Sequence, residues 1–282
     1  LHSTYNHHEQ ACAIAAEGYA RESGKVAAIC VTSGPGGTNA ITGVLGGWQD
    51  SIPMFVISGQ VKRETTTWST DVPLRQLGDQ EFQIVDTVKT MTKYAHMVTE
   101  PTEIRYHLEK AWFLCMNGRK GPVWLDIPLD VQAAVIESDE LKGFDSAELD
   151  LKENPVYDEK LTPEIIEKIK AAKRPVVFAG TGIRLSEGYE EFVKLVDKLG
   201  IPVVTAWNAH DVLWDENPFY CGRPGTVGTR GGNFVVQNSD LLLVLGCRLN
   251  IRQISYNYHD FAKKAYKIVV DIDEAELRKP TV

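Results

Sequence analysis

Cysteine is scarce and unpaired in this chain: Cys12, Cys30, Cys115, Cys221 and Cys247 are odd in number and form no C-x-x-C pair. That excludes a full disulfide framework and a zinc knuckle, and predicts reduced, mostly buried thiols in a cytoplasmic protein. No apolar run approaches the roughly 20 residues of a membrane-spanning helix, and the N-terminus lacks the charged-then-apolar order of a secretory signal. Positive charge is not in excess either. The net charge is -8, with Lys and Arg interspersed among acids, so neither nucleic acid nor an anionic membrane is expected as a partner. G-x-G-x-x-G and G-x-x-x-x-G-K-[ST] are both missing, which argues against the usual dinucleotide and P-loop sites. The chain opens at Leu1, without methionine, and enters a strong pattern within a few residues, as a fragment cut at both ends would.

What is present reads as a folded α/β chain. Hydrophobic residues at 43% and charged residues at 24% are ordinary for a globular protein, and 282 residues suffice for two cores. Short β-branched runs alternate with Gly or Pro loops and helical spacing, the signature of parallel βα units. The expected elements are a helix over Gln10 to Glu22, ended by Gly24, and a strand Val26 to Val31. A glycine turn Thr32 to Gly37 follows, with a helix from Thr38 to about Trp48, a strand Pro53 to Ser58, a helix Arg105 to Asn117 and a strand Val123 to Ile127. A polar, acidic stretch at 138–160 reads as a linker between residues 1–137 and 161–282. The second part shows helices at Pro163 to Ala172 and Glu187 to Leu199. Its strands are Pro175 to Ala179, Pro202 to Thr205, Leu241 to Leu245 and Lys267 to Asp271. The fold class is therefore two doubly wound α/β domains with mainly parallel sheets.

Thr32-Ser33-Gly34-Pro35-Gly36-Gly37-Thr38-Asn39 sits between a strand and a helix, where free N–H groups and the helix dipole can hold an anion or a polar ring edge. A tight turn needing glycine torsions explains the same string nearly as well. Its setting is more telling. His8-Glu9-Gln10, Gly18-Tyr19-Ala20-Arg21, this glycine turn, Asp50-Ser51-Ile52-Pro53 and Ser58-Gly59-Gln60-Val61 occur in an order that resembles the pyrimidine-binding domain of thiamine-diphosphate enzymes of the acetolactate synthase type. The likeness continues at Phe82-Gln83, Lys93, Gly121-Pro122-Val123 and Asp126-Ile127-Pro128. It implies that Glu9 is the glutamate that hydrogen-bonds ring nitrogen N1′ of the cofactor's aminopyrimidine, favouring the imino tautomer that activates the thiazolium. It also implies that Pro35, Gly36, Asn39 and Gln83 border the cofactor, and that Phe82, Gln83 and Lys93 line the substrate's approach, with Gln83 and Lys93 in catalytic roles. No metal is assigned to His7-His8, since neighbours on a strand face opposite ways.

In the second half the resemblance extends to the family's FAD-bearing middle domain: Gly180 and Gly182, Gly225, Gly228 and Thr229, Arg248 and Asp271 are the implied cofactor contacts. Thr205-Ala206-Trp207-Asn208 and Asn250-Ile251 depart from the synthase pattern, so FAD, ADP and no ligand remain open there. The Gly-Asp-Gly diphosphate and Mg2+ motif of the family is absent; Gly78-Asp79-Gln80 is the nearest string. The expectation is a part of an enzyme that decarboxylates a 2-keto acid, pyruvate by default, and ligates the product to a carbonyl acceptor. Such an enzyme would be a homodimer or homotetramer with its active site between subunits, with room for a regulatory subunit. The alternatives are a sister carboligase or decarboxylase, of glyoxylate carboligase, benzoylformate decarboxylase or keto-sugar type, and a non-catalytic nucleotide-binding module.

Overall fold

The computed structural model describes residues 3–149 and 157–281. The chain divides into two compact units, Leu1–Leu151 and Lys152–Val282.

The first unit runs α1 (Glu9–Ser23), β1 (Ala27–Val31), α2 (Pro35–Gln49), β2 (Met54–Gln60), α3 (Ile84–Val88), β3 (Tyr94–Met97), α4 (Ile104–Met116), β4 (Val123–Pro128) and α5 (Leu129–Gln132). Its four strands are all parallel, in the order β1-β2-β4-β3. Alternation sorts them between two faces. Phe55, Val123 and Leu125 pack with Ala111 and Cys115 of α4 on one face. On the other, Met54 and Trp124 meet α2 where it carries Gly47 and Gly37. Helices α1 and α2 approach so closely that a Cβ on Gly43 would lie 2.5 Å from that of Ala13. Fully burying side chains such as Val56 and Leu125 is worth roughly 1.5–3 kcal/mol each.

Gly24 ends α1 at φ 69°, as its position suggests. Helix α2 starts at Pro35, three residues before the expected Thr38, because proline at a first helical position loses no needed N–H and is already set at helical φ. Strand β3 escapes the sequence reading: Tyr-Ala-His-Met has no β-branched residue, and only Met97 of it is buried. The expected linker also shifts. The Phe144 ring meets Tyr106 of α4 edge-on and Phe113 at a tilt, each with ring centroids 5.7 Å apart, and its N–H donates to Glu109 at 2.8 Å, so 138–149 belongs to the first unit's surface. The stretch 150–156 lies outside the described residues.

The second unit runs α6 (Leu161–Ala171), β5 (Pro175–Ala179), α7 (Gly182–Leu185), α8 (Tyr189–Leu199), β6 (Val203–Thr205), α9 (Arg230–Asn238), β7 (Leu241–Leu245), α10 (Ile251–Ile254), β8 (Tyr266–Val270) and α11 (Glu274–Arg278). Its parallel sheet has the order β6-β5-β7-β8. Phe178, Val204 and Leu242 form the centre of its core, together with Phe192 and Val196 of α8. The expected helix from Glu187 starts at Tyr189, since Glu187 takes a positive φ of 63° in the turn after α7. Helix α9 was hidden by the glycine pair in its first turn, Gly231-Gly232, which lowers helix propensity.

Candidate functional site

Helix α1 leads through Gly24 into the start of β1, so its N-terminus returns to the end of the sheet where the strands terminate; α2 begins at that same end. In open α/β sheets this is where ligands bind. Glu9 is the first residue of α1, and its Oε2 accepts from Nδ2 of Asn39, in the first turns of α2, at 3.1 Å. His8 caps α1, its Nδ1 accepting from the N–H of Gln10 at 3.1 Å. The reading of His7-His8 as strand neighbours is thereby corrected: the helix's unpaired N–H groups recruit His8 as a cap. Among the described residues no cluster of three or more His, Cys, Asp or Glu could hold a metal.

The Glu9 carboxyl, open to solvent, is held below the ordinary glutamate range. Its own backbone N–H at the helix start is the main cause and the Asn39 amide the next, while burial opposes them. Gly34 turns the chain at φ 55°, and a Cβ there would lie 2.1 Å from the carbonyl oxygen of Gln80. Gly36 is just as confined: its Cβ would stand 2.7 Å from Thr32 and 3.7 Å from Oε1 of Glu9. The arrangement is an ionised carboxylate and an amide at two helix N-termini, beside backbone that admits no side chain. It suits a planar ring offering a hydrogen-bond donor. Pro35 and Asn39 lie exposed at the rim of this turn.

Phe82 and Gln83 reach the same sheet end just before α3. The carbonyl of Phe82 accepts from Gln60 Nε2 at 3.0 Å, and Gln83 Nε2 donates to the hydroxyl of Thr67 at 2.9 Å. Gln60 also donates to Asp126 at 2.9 Å, while Ser58 donates to the other Asp126 oxygen and receives Trp124 Nε1 at 2.8 Å. Burial pushes the Asp126 carboxyl up to about 6, against the hydrogen bonds from Ser58 and Gln60. Lys93 is not brought to this end. It stands at the start of β3, where its ammonium donates to the carbonyls of Asn117, the cap residue of α4, and, at 2.7 Å, Arg119 in the turn that follows. Burial lowers its pKa.

In the second unit Gly180 and Gly182 serve the close approach of two strand ends: a Cβ on Gly180 would lie 2.2 Å from Gly246 O, and Gly182 N–H donates to that oxygen at 2.9 Å. Gly225, Gly228 and Thr229 instead line an open cleft of about 320 Å³ with Trp207, Arg223 and Arg252. Thr229 caps α9 by accepting from Gly232 N–H, and the Arg252 guanidinium lies 5.5 Å from the Trp207 ring. Two arginines, a helix N-terminus and an indole along one cleft suit an anionic ligand with a planar part. Arg248 and Asp271 do not line it: the Arg248 carbonyl accepts from Lys279, and Asp271 Oδ1 from Asp273 N–H at 2.9 Å.

Trp207 and Arg252 were not singled out from the sequence as contacts, nor were Thr67 and Glu81, the partners of the Gln83 segment. Residues 14 to 45 positions apart meet here through loops, and no local periodicity announces that.

Residues 2–89 match a family model described as the thiamine pyrophosphate enzyme N-terminal TPP binding domain, and residues 163–282 match that of the thiamine pyrophosphate enzyme central domain. A "Probable acetolactate synthase large subunit" of Methanococcus aeolicus is 36% identical over 277 residues, covering 96% of this chain and 44% of that protein. The acetolactate synthase large subunit of Lactococcus lactis subsp. lactis is 35% identical over 279 residues, covering 96% and 45%. Acetolactate synthase isozyme 1 large subunit of Escherichia coli K12 is 35% identical over 275 residues, covering 96% and 46%. The chain thus spans less than half the length of these relatives.

Proposed function

Because the chain belongs to the thiamine pyrophosphate enzymes, with their N-terminal TPP binding domain followed by their central domain, we propose that it is part of an enzyme that decarboxylates a 2-keto acid and ligates the product to a carbonyl acceptor. Pyruvate as donor and acetolactate as product are the specific reading. The single observation that carries it is the ionised Glu9 beside Asn39 and Gly36, supported by the names of the relatives.

Glu9 would hold a hydrogen bond at a ring nitrogen of the aminopyrimidine, and Asn39 would keep the carboxylate in place. Gly34 and Gly36 let the turn pack against the Gln80 carbonyl and Thr32, and Pro35 fixes the start of α2 beside the ring. When bound, thiamine diphosphate supplies the electron sink for decarboxylation. Gln83 and Phe82 would border the reacting carbonyl. Lys93 keeps its assignment to the substrate path only if another subunit carries the site past the β3 end of the sheet. Mg2+ and the diphosphate would be held by a domain outside this chain, in an oligomer that builds the site between subunits, with a regulatory subunit as a further partner. The protein would work in the cytoplasm, which buried thiols such as Cys115 and Cys247 support. Among the described residues no helix is long and apolar enough to cross a membrane.

For the second unit we propose FAD, or another nucleotide with a diphosphate, in the cleft of Arg223, Gly225, Gly228, Thr229 and Arg252. The arginines and the α9 N-terminus fit phosphates, and Trp207 fits a ring. Trp207 also favours the second reading, a sister carboligase with a different acceptor, since it departs from the synthase pattern. The test is keto-acid consumption by the full-length protein with and without thiamine diphosphate and Mg2+, with products identified by mass. Cofactor-dependent acetolactate formation is expected. Another ligation product selects the sister carboligase, and no turnover of any keto acid selects a non-catalytic module.

A further inference from the structure

Residues 66–83 contain no strand, yet a single acid organises them. Glu81 is only 8% exposed, and its two oxygens take up four donors. Oε1 accepts from the N–H of Thr67 and, at 2.9 Å, from its hydroxyl; Oε2 accepts from the N–H of Leu77 at 2.8 Å and of Gly78 at 3.3 Å. Burial alone would raise its pKa, but these donors outweigh burial and the carboxyl sits below the ordinary range. It is therefore ionised at neutral pH.

An ionised carboxylate can only accept, so the Thr67 hydroxyl must spend its one proton on Glu81. The hydroxyl's lone pairs then face Gln83, whose amide nitrogen, at 2.9 Å, can only donate. Polarity runs one way along this chain of groups and removes the freedom of the Gln83 amide to flip. Its nitrogen is turned to Thr67 and its oxygen away. No protein donor reaches that oxygen among the described residues. The backbone on either side is pinned as well: Gln60 holds the Phe82 carbonyl, and Gln80, at φ 58°, rests its carbonyl over Gly34 of the glycine turn.

We infer that Glu81, acting through the Thr67 hydroxyl, is a positioning residue that fixes the Gln83 carboxamide with its oxygen presented to a hydroxyl or N–H donor of the bound reactants. The inference rests on the reading of Gln83 as a substrate residue. It assigns Glu81 no contact with the reacting atoms.

The test compares kcat and KM of the full-length protein for keto acid in Thr67→Val, Thr67→Ser, Gln83→Ala and the double variant Thr67→Val/Gln83→Ala. Hydrogen exchange of the 67–78 amides is followed in Glu81→Gln. Valine keeps the shape of threonine and removes only the hydroxyl. Thr67→Val and Gln83→Ala are each expected to lower kcat/KM about tenfold, the double variant to be no worse than either, and Thr67→Ser to restore the rate. In Glu81→Gln the amides of Thr67, Leu77 and Gly78 should exchange at least about tenfold faster. Wild-type kinetics in Thr67→Val beside an impaired Gln83→Ala overturns the relay while leaving the proposed activity standing. Wild-type kinetics in Gln83→Ala overturns both the reading of Gln83 and the relay built on it. If the unaltered protein turns over no keto acid, the proposed activity falls and hydrogen exchange decides: unchanged rates in Glu81→Gln overturn the organising role of that acid, and faster rates uphold it.

Discussion

Glu9 joins two helix N-termini through one hydrogen bond to Asn39, and that placement, rather than depth of burial, keeps it charged. Replacing it with glutamine preserves shape and removes the charge. Glu9→Gln in the full-length enzyme should lower kcat by about 10²- to 10⁴-fold with an unchanged circular dichroism spectrum; a rate near that of the parent would remove Glu9 from the chemistry. Asp126 behaves in the opposite way. It is 1% exposed and pushed up to about 6 by burial. As pH rises past about 4 the unfolded chain gives up this proton, while the folded protein keeps it until about 6. Stability therefore falls across that window, by at most roughly 3 kcal/mol, and is level above it. Asp126→Asn has no such proton to lose, so urea midpoints measured at pH 4 and pH 7 should fall less in the variant than in the parent. Equal slopes would mean that Asp126 titrates normally.

Among the elements, α4 and the start of β3 show how a motif match and a structural task can meet at one residue. Lys93 follows the Phe82-Gln83 block in the order the resemblance requires, yet its ammonium ties down two carbonyls of the turn that leaves α4. Lys93→Met should cost about 1–3 kcal/mol in chemical denaturation, because those carbonyls lose a charged donor. An unchanged midpoint together with a raised KM would instead favour the substrate path. Most elements were legible because their patterns are local. Leu241 to Leu245 and Pro175 to Ala179 are unbroken apolar strands buried on both faces, and their observed limits are those expected. Strand β3 and helix α9 were not, since half-burial removed the apolar signal from one and paired glycines masked the other. Of the candidate site, Glu9, Asn39 and the glycine turn could be named from motif order. The relay from Glu81 through Thr67 to Gln83 could not, because its members meet only after a 14-residue loop closes.

At the scale of the whole chain, each unit has its own parallel sheet and its own core. The stretch 157–282, expressed alone, should fold and melt in one cooperative transition followed by circular dichroism; a gradual, non-cooperative melt would show that it leans on the rest of the protein. The linear order of apolar runs, turns and motifs was enough to establish two α/β units, their parallel strands and their kinship with thiamine pyrophosphate enzymes, because those properties follow from neighbours in sequence: strand pleat, helix period, glycine torsions. The sheet order, the position of Lys93 at the far end from Glu9, the use of Gly180 and Gly182 for strand packing, and the cleft between Trp207 and Arg252 were decided by the tertiary structure alone. Each depends on which distant groups come within hydrogen-bond or van der Waals reach, and only the folded backbone sets those distances.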